Sequence, residues 1–186
     1  MNILFTAVYI IWITSEILIN RLHKSHSADA QNLDKHTMTL IWITIGVVTP
    51  LSVYLASHVE APIWRNGIIN FIGLAVILAG CFFRFLAIRS LGKEFTVDVA
   101  IHSEHTLKNN GMYRIIRHPS YAFSLLSFIG FGLSLNNIFS TALLTLAVLA
   151  AFLRRIQVEE EALINKFGRQ YLEYKKRTTK LIPYLW

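Results

Sequence analysis

The chain has 186 residues, 54% of them hydrophobic and 16% charged, and a formal net charge of +7. About a quarter of a soluble domain is charged, so this composition excludes an ordinary soluble protein and points to an integral membrane protein of one domain. The basic excess flanks apolar runs, which suits anionic lipid headgroups and not nucleic acid. Cys81 is the only cysteine, so no disulfide forms within the chain.

Five apolar segments follow one another. The first runs from Ile3 to Ile19. No basic n-region precedes it, so it reads as a retained span and not a cleaved signal. The second covers Thr39 to Ala56, with Pro50 as a kink site. The third covers Gly67 to Leu91. A polar stretch from Gly92 to His118 comes next. Pro119 to Leu153 is then almost wholly apolar, interrupted by Asn136-Asn137 near its middle. That length predicts two short tilted spans joined by a tight turn, with a re-entrant hairpin as the alternative. Beyond it, Val158 to Thr178 reads as one amphipathic helix, with Leu163, Phe167, Tyr171 and Tyr174 on a shared face.

The charges orient this layout. With five spans, 16 of the 18 lysines and arginines fall on one side; Arg65 lies opposite and Arg84 lies within a span. The positive-inside rule then puts the N-terminus outside and the tail in the cytoplasm. The predicted fold class is an all-α multi-pass membrane protein. Residues 1–91 form three N-terminal spans, and residues 92–186 hold the polar chemistry.

That chemistry is concentrated at two span ends. His118-Pro119 opens the fourth span, and proline is favoured at the first helical position. The exposed N–H groups of such a first turn attract anions, aided by the helix dipole. Arg117 and Tyr121 there read equally as interfacial anchors. At the end of the fifth span, Arg155 and Glu159 are four apart and share a helix face. They read as a surface ion pair worth roughly 0.3–0.5 kcal/mol, or as a cation and an anion set to hold a charged ligand. His102 and His105 have a spacing open to zinc, but neither a cysteine nor a distinctive carboxylate spacing supports it, so no metal is assigned. Arg84 and Glu16, both ionisable residues inside spans, read as partners or as snorkelling side chains. Gly73 and Gly80, with Ala75 and Ala79, predict close helix packing.

The run HTLKNNGMYRIIRHPSY, His105 to Tyr121, resembles the signature of the isoprenylcysteine carboxyl methyltransferase family. That signature has a His-x-Leu-Val, a glycine, a tyrosine two residues on, then Arg-His-Pro-x-Tyr. A second block of the family is similar to Arg155, Glu159-Glu160, Leu163, Phe167-Gly168, Tyr171 and Tyr174, with Pro183 after it. The resemblance covers Leu91 to Pro183. It implies a membrane enzyme that uses S-adenosylmethionine at the cytoplasmic mouth of the helices. Its acceptor is a lipophilic carboxylate such as a prenylcysteine. Carried over residue by residue, the cofactor would meet His105, Thr106, Leu107, Lys108, Tyr113, His118, Pro119, Ser120, Tyr121 and Glu159. Arg155 would face the acceptor carboxylate. Two residues depart from the pattern: Lys108 replaces the usual valine, and Phe123 stands where many members have glycine. These bear on the acceptor more than the cofactor. A phospholipid amine is the neighbouring alternative for the acceptor; a membrane scaffold or transporter is the distant one. Oligomeric state is not legible in the sequence.

Overall fold

The computed structural model describes residues 3–22, 35–65, 67–92 and 107–183, the side chains of residues 20–22 and 35 excepted. Among the described residues, six α-helices follow in chain order: α1 (Ile3–Leu22), α2 (Lys35–His58), α3 (Ile68–Leu91), α4 (Pro119–Ser134), α5 (Ile138–Phe167) and α6 (Arg169–Arg177). A 3₁₀ turn at Gly111–Arg114 precedes α4. Among the described residues, α2, α3 and α5 are long and apolar enough to cross a membrane, while the apolar stretches of α1 and α4 are shorter.

Helix α4 lies at the centre. Among the described elements it packs most extensively against α3 and also against α5; α1 adjoins α3, and α2 adjoins α5. The close approach of α3 and α4 follows from small residues. A Cβ on Gly73 would meet the backbone of Gly130 and Ser134, and one on Gly80 would sit 2.8 Å from the Phe123 carbonyl. Gly130 answers from α4, where an added Cβ would lie 2.7 Å from the Ile77 nitrogen. The sequence placed Ala75 on the same packing face, but Ala75 is exposed; the contact face is Gly73, Ile77 and Gly80, spaced four and three apart.

Aromatic rings fill the centre. Trp12 of α1 meets Phe128 edge-on at 4.9 Å between centroids, and Tyr9 meets Phe131 at 5.1 Å. The Tyr9 hydroxyl also bonds Ser134 at 2.7 Å. Arg84 and Glu16 pair inside this bundle at 2.5 Å, and Arg84 reaches across to the Ser124 hydroxyl on α4. Their role is therefore pairing, and no snorkelling is needed. An ion pair between α1 and α3 satisfies two charges that apolar surroundings would otherwise penalise.

Leu135–Asn137 join α4 to α5. Asn136 takes φ 50°, a left-handed conformation that asparagine tolerates better than most residues, and Asn137 caps α5 by accepting from the Ser140 N–H.

The predicted helix from Val158 to Thr178 is not one helix. Its first ten residues continue α5, which ends at Phe167. Gly168 then takes φ 52°, a conformation disfavoured for side-chain-bearing residues, and α6 starts anew. The apolar spacing carries on through the glycine, so periodicity alone hides the break.

Candidate functional site

The site is built where the start of α4 meets the last third of α5. His118 immediately precedes α4, with Pro119 as its first residue. The first backbone bond of that helix runs from the Ala122 N–H to the His118 carbonyl. The N–H groups of Ser120 and Tyr121 lie ahead of it, in the turn where helical donors have no partner four residues back.

Four side chains converge there. The Tyr121 hydroxyl donates to Glu159 Oε1 in a short hydrogen bond. Arg155 Nε donates to the same oxygen at 3.2 Å and lies 3.4 Å from the Tyr121 hydroxyl. His118 Nδ1 sits 3.4 Å from Glu159 Oε2, and its Nε2 sits 3.4 Å from Glu160 Oε1. Arg155 is completely buried, whereas the Glu159 side chain keeps 19% exposure. The surface ion-pair reading of Arg155 and Glu159 is thereby overturned. The pair is enclosed, and enclosed charges interact more strongly than exposed ones because water does not screen them. Glu159 and Tyr121 are the partly exposed members of the cluster, and Glu159 is the charged one.

Burial alone would push the His118 imidazole down, but the nearby charges of Glu159 and Glu160 outweigh it and hold its pKa above the ordinary histidine value. The site therefore favours a protonated imidazole between two carboxylates.

Glu160 faces a second set of partners. Arg117 Nε donates to it at 2.8 Å and Lys175 Nζ approaches at 2.7 Å. Arg117 also donates to the carbonyls of Lys175 and Thr178. Beyond α6, the chain runs back along residues 115–118. The Arg117 N–H donates to the Thr179 carbonyl at 2.8 Å, the Thr179 N–H to the Ile115 carbonyl at 3.0 Å, and the His118 N–H to the Lys180 carbonyl at 3.2 Å. This strap fixes His118 from behind. Tyr174 adds a bond to the Tyr113 carbonyl at 2.6 Å, and burial pushes the Tyr174 phenol up to about 12.

Of the residues expected from sequence, His118, Tyr121, Arg155 and Glu159 come together directly. Pro119 and Ser120 begin the helix beside them. Tyr113 is buried, and its hydroxyl reaches the Ala87 carbonyl of α3 at 3.4 Å. Leu107 and Lys108 are half-buried, four and three residues before the 3₁₀ turn. His105, Thr106 and His102 lie outside the described residues. Among the described residues no cluster of three or more potential metal ligands occurs. Phe123 stacks on Phe83 of α3 at 5.3 Å, in the contact between α3 and α4. Three contributors were missed. Glu160 sits inside the quoted block but reads as a repeat of Glu159. Lys175 reads as one more tail charge. Thr37 of α2 receives a hydrogen bond from Arg155 Nη1 at 3.1 Å, and its local sequence is that of any helix start.

Residues 71–165 match the isoprenylcysteine carboxyl methyltransferase family. The chain is 30% identical over 185 residues to a probable protein-S-isoprenylcysteine O-methyltransferase of Oryza sativa subsp. indica, covering 98% of this chain and 95% of the relative. It is 36% identical over 135 residues to protein-S-isoprenylcysteine O-methyltransferase B of Arabidopsis thaliana, covering 71% and 68%. Among solved structures it resembles a eukaryotic intramembrane Ras methyltransferase, isoprenylcysteine carboxyl methyltransferase. The TM-score there is 0.64 at 25% identity, over 96% of this chain and 67% of the other.

Proposed function

We propose that this chain, which belongs to the isoprenylcysteine carboxyl methyltransferase family, methylates the carboxylate of a prenylated cysteine or a similar lipophilic acid at the membrane interface. It is a membrane methyltransferase, and membership implies S-adenosylmethionine as the methyl donor. The observation that carries the reading is the buried Arg155 set against the partly open carboxylate of Glu159, beside the start of α4.

The donor set suits that cofactor. Its ammonium and ribose need acceptors, and Glu159 offers a carboxylate edge. Its carboxylate needs donors, and the first-turn N–H groups of α4, Ser120 and Tyr121, supply them. His118 and Tyr121 would hold the adenosyl end, and the family resemblance assigns Leu107, Lys108, Tyr113, His105 and Thr106 to the cofactor as well. When bound, S-adenosylmethionine supplies an electrophilic methyl group.

Arg155 would hold the acceptor. A terminal carboxylate has a pKa of roughly 3.3–3.7 and is ionised at neutral pH, so no general base is required. The task left to the protein is alignment and exclusion of water, and orientation contributes up to about 7–11 kcal/mol. A guanidinium fork suits this because it fixes direction as well as charge. Since Arg155 is wholly enclosed, an arriving carboxylate would displace some of what now surrounds it and would be desolvated as it docked.

The layout proposed with this activity has five spans, α1 to α5, with the N-terminus outside and the site and tail in the cytoplasm. Residues 1–91 form a supporting half and residues 92–186 the cofactor-binding half of a single domain. A methyl-transfer assay with labelled cofactor tests the acceptor, using prenylcysteine analogues, isoprenoid acids and phosphatidylethanolamine. Ester formation on the prenylcysteine or isoprenoid acids is expected. Labelling of the phospholipid amine alone would contradict the assignment.

A further inference from the structure

Among the described residues, Arg155 is held both from its own helix and from α2. On its own helix, Nε donates to Glu159 Oε1 at 3.2 Å. From the N-terminal half of the chain, Thr37 Oγ1 accepts from Nη1 at 3.1 Å. Thr37 lies in the first turn of α2, the helix that packs along α5, and is only 7% exposed. A guanidinium is planar. Nη1 lies farther from the Cδ–Nε axis than Nε does, so a bond at Nη1 restrains rotation of the plane about that axis more effectively than one at Nε. A fork that receives a carboxylate must keep its plane within about 10–20° of the productive orientation.

We infer that Thr37 is a positioning residue for the acceptor: it sets the plane of Arg155 from α2 and so aligns the lipophilic carboxylate for methyl transfer. The inference rests on the role proposed above for Arg155. It gives the N-terminal half a part in the chemistry, although Thr37 lies outside the residues that match the family. The cofactor groups are assigned to Glu159 and the start of α4, so loss of the Thr37 hydroxyl should move acceptor alignment and leave cofactor affinity alone.

The test compares Thr37→Val, Thr37→Ser and Arg155→Ala with the wild-type chain in detergent, each checked for folding by thermal unfolding. N-acetyl-S-farnesylcysteine and its carboxamide serve as probes. Thr37→Val should lower turnover on the acid by about 10- to 100-fold, the range expected for a misplacement approaching 1 Å. S-adenosylmethionine affinity by calorimetry should stay at the wild-type value. Thr37→Ser, which keeps the hydroxyl, should recover most of the turnover. Without cofactor, the wild-type protein should bind the acid more tightly than the carboxamide, and Thr37→Val should lose most of that preference. Unchanged turnover and preference in Thr37→Val overturn the inference. So does an equal loss of turnover and cofactor affinity, or no recovery in Thr37→Ser. If Thr37→Val does not fold, Thr37→Ala is read by the same criteria. Wild-type turnover in Arg155→Ala would sink the parent reading. An inactive Arg155→Ala beside a normal Thr37→Val would sink this inference alone.

Discussion

Glu159 meets three partners at once: the Tyr121 hydroxyl and Arg155 Nε on one oxygen, and His118 on the other. All three favour its charged form. It also keeps an exposed edge, whereas Arg155 and His118 are buried. A charged group that is both fixed and accessible suits recognition of a cationic ligand. Glu159→Gln keeps the shape and removes the charge. Because a hydrogen bond to a charged group contributes roughly 1.5–3 kcal/mol, cofactor affinity should fall about 10- to 100-fold. Calorimetry in detergent measures this, and an affinity equal to wild type would remove Glu159 from the pocket. Glu160, next in sequence, lies on a neighbouring part of the helix surface and pairs with Arg117 and Lys175 as well as lying near His118. Two adjacent glutamates thus have separate tasks because successive helical residues point about 100° apart, consistent with 3.6 residues per turn.

At the scale of elements, the C-terminal strap and α6 are tied to the start of α4 chiefly by Arg117. Its guanidinium joins Glu160 to the carbonyls of Lys175 and Thr178, while its backbone N–H bonds Thr179. Removing one partner of an enclosed ion pair typically costs about 3–5 kcal/mol. Arg117→Ala should therefore release residues 169–183 to limited proteolysis well before α1–α5 unfold, and cleavage no faster than in the wild type would refute the latch. The sequence revealed the helix start at Pro119 through its local chemistry, and the turn at Asn136-Asn137 through two polar residues in an apolar run. It did not reveal the break at Gly168, because Leu163, Phe167, Tyr171 and Tyr174 keep their spacing across it. Nor did it reveal the strap, which depends on backbone bonds between segments some sixty residues apart.

Across the whole molecule, the apolar segments were legible from composition, and residues Leu91 to Pro183 were legible from two spaced motifs. What joins the two halves was not. The Arg84–Glu16 pair, the glycine contact between α3 and α4, and the Thr37–Arg155 bond each depend on which helices become neighbours, and hydropathy does not encode that order. The assembled result places a buried cation, an accessible carboxylate and a helix start within one cluster beside an apolar bundle.

The most direct test of this account is the effect of Arg155→Ala on turnover, measured alongside cofactor affinity in the same folded preparation. Loss of the group that orients a reactant costs on the order of 10² in rate, so turnover on a prenylcysteine acid should fall by about that factor while S-adenosylmethionine binds about as well as before. If turnover survives, or both quantities fall together, Arg155 does not hold the acceptor.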